Sequence, residues 1–344
     1  MSERNSTPED VHGCYRLLLG REPEYPQALI DRALTYPSRV ALVSSFLHTL
    51  EFQLRHGSRL DGRLDIGLLS EFAAPGLQGR ADYVTDFLGG LTRTGVLAWA
   101  HDKGGQVEAP PVLGNLFGSL PEWLAVLAAV KAAAERGRQR FVAVEIGAAW
   151  GPWLVAAGLA ARSKQIDAVR LVGVEPAPEL CAVMREHLSV NGFTEEETTV
   201  IQAAVIPGAE AAEHPILAHP SIEFGHRSAP RPSAKRSRDG WRSCKTVDVQ
   251  EIFSQEPEID LLVLTTGGEE REILSSIDLT TGPVRAILLS THTPRADLEI
   301  WEMLSAAKWR NVVSQPCEIQ QDGADPAILH TLRDGCQLWI RTTD

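Results

Sequence analysis

The stretch Val144-Glu145-Ile146-Gly147-Ala148-Ala149-Trp150-Gly151 runs from an apolar, strand-like segment straight into a helical one. Small residues at Gly147, Ala148 and Ala149 let the main chain come close to a ligand, and a helix start offers N–H groups that the helix itself does not use. A second strand-like segment closes on Gly173-Val174-Glu175-Pro176, where a carboxylate can accept hydrogen bonds from both hydroxyls of a ribose. A close-approach turn and an acid on the next strand end are the parts of a nucleoside-binding site.

A dinucleotide fingerprint needs glycines at a G-x-G-x-x-G spacing, but counting on from Gly147 gives Ala149 and Pro152, which disfavours NAD. Glu145, two residues before Gly147, is instead typical of S-adenosylmethionine sites, where such an acid helps to hold the amino-acid end of the cofactor. Trp150 and Trp153 flank the turn, either to stack on a ligand or as ordinary core. Methyl transfer from a sulfonium is an in-line displacement that mainly needs alignment, and a hydroxyl acceptor also needs a base. Two side chains are placed to serve: His292, which ends Leu289-Ser290-Thr291-His292 at the carboxyl edge of a strand, and Glu270, which opens a helix. The plainer readings are a structural histidine and an acid favouring the helix dipole. Neither a metal-ligand cluster, a Walker loop nor a nucleophile elbow is found, so no metal is expected.

Alternating strand-like and helix-like segments must position these groups. Strands are expected at 141–146, 169–174, 198–205, 259–264 and 284–290, with helices at 153–162, 178–191, 269–277 and 297–308 between them. Two closing strand-like runs, 311–315 and 337–342, read as a reversed pair. The fold class is therefore α/β, a Rossmann-like sheet with helices on both faces, preceded by a small helical module. Residues 1–56 form that module, opening with the capping sequence Thr7-Pro8-Glu9-Asp10 and with helices expected to about Leu19, at 26–35 and at 38–52. Residues 57–120, rich in Gly and Pro, read as a connecting region whose His101–Gly105 and Pro110–Asn115 stretches could border the site, and 121–344 as the main domain.

The 344-residue chain, 44% hydrophobic, can bury a full core. Its net charge of -12 argues against a general nucleic-acid binder. The five scattered cysteines, without a C-x-x-C, suit a reducing compartment, and the longest apolar stretch, Leu124 to Val130, is too short for a membrane span, so a cytoplasmic location is expected. Against the acidic background, Arg227, Arg231, Lys235, Arg236, Arg238, Arg242 and Lys245 form a basic run, read as a solvated insertion or as a clamp for an anionic acceptor. Oligomeric state is not legible.

Beyond the turn, Glu175-Pro176, Pro178-Glu179-Leu180, Leu188, Asn191-Gly192, Ala203-Ala204-Val205, Thr246-Val247-Asp248 and Ile259-Asp260-Leu261-Leu262 resemble the FkbM family of methyltransferases over about Phe141 to Trp309. The resemblance implies a class I methyltransferase sheet, S-adenosylmethionine as cofactor, and a hydroxyl of a sugar or other small-molecule or glycan acceptor as substrate. It implies that Gln202 and Ala203 border the adenine, and that Glu145, Gly147, Ala148, Ala149, Trp150, Gly151, Glu175 and Pro176 surround the rest of the cofactor. At the fourth strand end the family carries Lys-x-Asp-x-Glu-Gly-x-Glu, whereas this chain has Val263, Thr265 and Gly267 at the three ionisable positions and keeps only Gly268 and Glu270. A catalytically impaired S-adenosylmethionine-binding or regulatory protein is the alternative. Tyr15, Leu18, Leu19, Gly20, Arg21, Glu22 and Pro23 resemble a short helical domain that accompanies transferases of surface polysaccharides.

Overall fold

The computed structural model describes residues 6–19, most of 21–52, 59–60, 67–96, 100, 103–108, 117–208, 213–217, 241–321 and 329–342. The chain divides into two units, Met1–Leu60 and Asp61–Asp344. In the first, α1 (Pro8–Leu18) begins with a capping box: the Thr7 hydroxyl accepts the Asp10 N–H while the Asp10 carboxylate accepts the Thr7 N–H. With α2 (Gln27–Thr35) it encloses a core of Val11, Cys14, Tyr15, Leu19, Leu42 and Phe46. Beside this core Arg21 lies 5.0 Å over the Tyr15 ring, and at the surface Glu22 pairs with His12 and Arg16. Leu42 and Phe46 of the expected third helix belong to the core; much of the rest of 38–52 lies outside the described residues.

The second unit opens with α3 (Gly67–Phe72), a hairpin of β1 (Tyr83–Thr85) and β2 (Leu91–Arg93), and α4 (Leu120–Glu135). The alternating part follows as β3 (Arg140–Ile146), α5 (Pro152–Ser163), β4 (Ala168–Val174), α6 (Pro178–Val190) and β5 (Thr198–Ile201). After three strands of a small separate sheet, β6 (Ala204–Val205), β7 (Glu213–Leu217) and β8 (Trp241–Val247), the alternation resumes. Its elements are α7 (Val249–Ser254), β9 (Leu261–Leu264), α8 (Glu270–Ser275), β10 (Ala286–Thr291) and α9 (Pro294–Ala306). The last are β11 (Trp309–Gln315), the hairpin strands β12 (Glu318–Gln321) and β13 (Leu329–Arg333), and β14 (Gly335–Arg341).

Seven of these strands build one sheet in the order β5-β4-β3-β9-β10-β14-β11. Neighbours from β5 to β10 run parallel, and β14 runs antiparallel to both β10 and β11. This is a Rossmann-like α/β fold. The central strands are near-continuous apolar runs because helices cover both faces. Val142, Val144, Ile146, Leu262, Leu264, Ile287 and Leu289 meet α7, α8 and α9 through Ile252, Phe253, Ile273, Leu274, Ile300 and Leu304. The alternate residues, among them Phe141, Ala143, Leu171 and Leu288, are equally buried on the opposite face.

One expectation needs correction. The strand expected over 198–205 breaks at Gln202-Ala203: 198–201 stays in the main sheet, whereas Ala204 and Val205 pair with Thr246 and Val247 of β8. The region 57–120 holds short elements, among them the β1–β2 hairpin and the six-residue α3. His101, Asp102, 110–115 and the basic residues from Arg227 to Arg238 lie outside the described residues. Among the described residues no helix is long and apolar enough to cross a membrane.

At the amino edge of the sheet, charges are buried in pairs. Asp260, fully buried, accepts the Val142 N–H at 3.0 Å and pairs with Arg138 and Arg136. Glu258 pairs with Arg138 and Arg285, and Glu256 with Arg140 and Arg170.

Candidate functional site

From β3 the chain proceeds outward through β4 and β5, then returns to the other side of β3 with β9 and β10. The carboxyl edge between β3 and its neighbours is therefore the switch point where open α/β sheets bind ligands. In the loop after β3, Gly147, Ala149 and Gly151 have φ of 77°, 47° and 70°. A Cβ on Gly147 would stand 2.3 Å from the Thr265 carbonyl oxygen, so glycine is required there both by φ and by the approach of the β9 loop. Gly147→Ala is expected to destabilise the protein by roughly 1–2 kcal/mol from the positive φ alone, before any clash. A calorimetric melting temperature unchanged from wild type would show that this approach does not matter.

Ala149 carries a side chain at positive φ, a conformation that persists only where the surroundings hold it. Gly147 and Ala148 donate their N–H groups to the Val174 carbonyl at 2.9 and 3.0 Å. The Ala149 N–H donates to Glu175 Oε2 at 3.0 Å, and Glu175 Oε1 accepts the Ala177 N–H at 2.9 Å. Glu175 is 1% exposed, and burial pushes its carboxyl up to about 7 against the pull of these two backbone donors and of Arg242. Arg242 is itself clamped to Glu179 through both guanidinium nitrogens. The sequence-predicted acid of β4 thus stands at the predicted turn and is bonded to it.

Glu145, expected at the amino-acid end of a cofactor, is turned into the protein. Its Oε2 accepts the Leu154 N–H at 3.1 Å, so the carboxylate caps α5, whose N-cap residue Gly151 has no side chain to do so. Burial raises its pKa well above the usual range, with Glu175 and Glu122 adding repulsion. Ala148 and Ala203 are buried and Pro176 is half-buried. Gln202 is exposed at the end of β5, in a cleft of about 270 Å³ shared with Ser243, Cys244 and Lys245 of β8. Trp150 and Trp153 are both buried, in an aromatic cluster with Phe87, Phe117 and Trp123. The Trp150 indole N–H is enclosed without a hydrogen-bond partner.

Across the switch point, the structure brings both candidate bases together. His292 Nε2 lies 3.4 Å from Glu270 Oε1, and Nδ1 lies 2.8 Å from an oxygen of Asp334. Burial disfavours charge on His292, but the hydrogen bonds and charges of Asp334 and Glu270 outweigh it and raise the pKa to about 9. Glu270 is 2% exposed and also accepts the Gly267 and Gly268 N–H groups, which fixes the loop after β9. The three positions that lack ionisable groups are used otherwise. Val263 is buried within β9, the Thr265 hydroxyl donates to the Gly147 carbonyl at 3.0 Å, and the Gly267 N–H goes to Glu270. Sequence reasoning missed Asp334. Its signal was the reversed last strand, which begins at the carboxyl edge and so delivers the residue before it to the site.

No family model matches the chain. It is 25% identical over 267 residues to a protein of Jannaschia sp. (strain CCS1) named "Putative methyltransferase", covering 76% of this chain and 94% of that one. Among solved structures, a precorrin-6y C5,15-methyltransferase from Geobacter metallireducens GS-15 matches with 13% identity and a TM-score of 0.38, over 67% of this chain and 93% of that one. A precorrin 8w decarboxylase from Methanobacterium thermoautotrophicum matches with 15% identity and a TM-score of 0.36, over 68% and 96% of the respective chains.

Proposed function

We propose that this protein is an S-adenosylmethionine-dependent methyltransferase whose acceptor is a hydroxyl group, of a sugar or a related small molecule. The observation that carries the reading is the close-approach turn 147–151 at the switch point, bonded through Ala149 to the carboxylate of Glu175 on the neighbouring strand end. The named relative from Jannaschia supports methyl transfer.

The residues fit the cofactor. With a pKa near 7, Glu175 becomes a full anion once two ribose hydroxyls donate to it. Gly147, Ala148, Ala149 and Gly151 form the cradle, Trp150 and Pro176 flank it, and Gln202 and Ala203 border the adenine. The cofactor supplies an electrophilic methyl group. The protein's part is to align the acceptor and take its proton: neutral His292 accepts it at Nε2, while Asp334 on Nδ1 orients the ring. Glu270, facing the same nitrogen, is the second base.

Calorimetric titration with S-adenosylhomocysteine tests the proposal. Micromolar binding is expected, and Glu175→Ala is expected to weaken it by at least ~100-fold, because the variant loses both the ribose acceptor and the bond that holds Ala149. No binding at millimolar ligand would overturn the reading. A second reading, a cofactor-binding protein without turnover, is favoured by Val263, Thr265 and Gly267 and predicts tight binding with no methyl transfer to any hydroxyl acceptor offered.

A further inference from the structure

We infer that His187 is a positioning residue for the cofactor turn, holding the Trp150 carbonyl and linking it to the β1–β2 hairpin. The inference rests on the reading of 147–151 as the cofactor cradle. His187 lies in α6 and is 5% exposed. Its Nδ1 is 3.0 Å from the Trp150 carbonyl oxygen, which can only accept, so Nδ1 carries the proton. Nε2 lies 3.3 Å from the Thr92 hydroxyl of β2. Burial drives the His187 pKa down to about 4, although the carbonyls of Trp150 and Leu91 favour protonation. The ring is therefore neutral near pH 7, and Nε2 accepts from Thr92.

Three further contacts fix the hairpin on α6. Asn191 accepts the Leu91 N–H at 2.8 Å and donates to the Leu91 carbonyl at 3.0 Å, and Arg93 pairs with Glu186 at 2.7 Å. The hairpin is thus a rigid backing for the His187 ring. What the ring holds is a turn at odds with its own sequence, since Ala149 has a φ of 47°. Glu175 takes the N–H of Ala149 and His187 bonds the carbonyl of the next residue, so side chains from the end of β4 and from α6 hold the Ala149-Trp150 segment at its two ends. Strain of this kind relaxes when one holding group is removed.

The test compares binding of S-adenosylhomocysteine by the full chain and its variants, with the melting temperature of each. His187→Phe, which keeps ring bulk and loses the donor, is expected to bind about tenfold more weakly, the worth of one buried hydrogen bond. His187→Asn, which keeps a donor near the Nδ1 position, is expected to restore most of the affinity. Ala149→Gly added to His187→Phe is expected to recover part of it, since glycine adopts positive φ without strain. Should His187→Phe fail to fold, Thr92→Val, which removes only the hydroxyl, is expected to weaken binding about threefold. Equal binding by wild type and His187→Phe, or losses in His187→Phe and His187→Asn that match and follow melting temperature, would overturn the inference. Absence of binding by the wild type would instead overturn the cofactor reading on which it stands.

Discussion

Replacement of His292 by alanine is expected to lower the rate of methyl transfer to a hydroxyl acceptor ~100- to 10,000-fold, the usual worth of a positioned base. Binding of S-adenosylhomocysteine should change little, since the ring faces Glu270 and Asp334 and not the turn after β3. The pH dependence gives a sharper check. With a pKa of about 9, His292 is largely protonated at pH 7, so a rate that depends on its neutral form rises with pH and levels off above 9. Asp334→Asn removes one of the two carboxylates that favour the charged ring, and the rising limb should move to lower pH, by roughly 1 unit or more. If the limb stays in place, or if His292→Ala retains it, proton removal belongs to another group, with Glu270→Gln the next variant to measure. The same raised pKa has a stability consequence: the ion contacts of His292 favour folding fully below about pH 6.5 and lose that contribution as pH rises through about 9.

Asp260→Ala is expected to cost about 3–5 kcal/mol of folding stability, the range for removing one partner of a buried ion pair. Three groups lose their acceptor at once: the Val142 N–H in the sheet interior, Arg138 and Arg136. The arginine heads are partly solvated, at 28% and 23% exposure, which places the expected value toward the lower end. Asp260→Asn keeps an acceptor for Val142 and should lose less. Urea unfolding curves would measure both, and equal small losses below ~1 kcal/mol would show that solvent replaces the carboxylate.

The central sheet was legible because its strands are continuous apolar runs punctuated by polar turns, a pattern set by burial on both faces. Val142 to Ile146 and Leu261 to Leu264 have no other reading once their neighbours are helical. The β1–β2 hairpin and the β6-β8-β7 sheet were not legible, since strands of two to seven residues with polar faces owe their form to what they pack against. At the site, Glu175 and the turn after β3 could be placed from spacing along one βαβ unit. The turn of Glu145 toward α5 could not, because it depends on Gly151 having no side chain to cap that helix. Asp334 stands 42 residues from His292 in the chain, and His187 looks like any polar residue of an amphipathic helix until the hairpin is placed against it.

The reversed strand β14 fills the gap between β10 and β11. Synthesis proceeds from the amino end, so β10 emerges from the ribosome with one backbone edge unpaired until residue 341 has been added. An open strand such as Ala286–Thr291 is a template for pairing with other chains. The same delay applies to the proposed proton acceptor, for Asp334 reaches His292 only when β14 is seated. Completion of the sheet and assembly of the His292–Asp334 pair are therefore one event in the maturation of this protein.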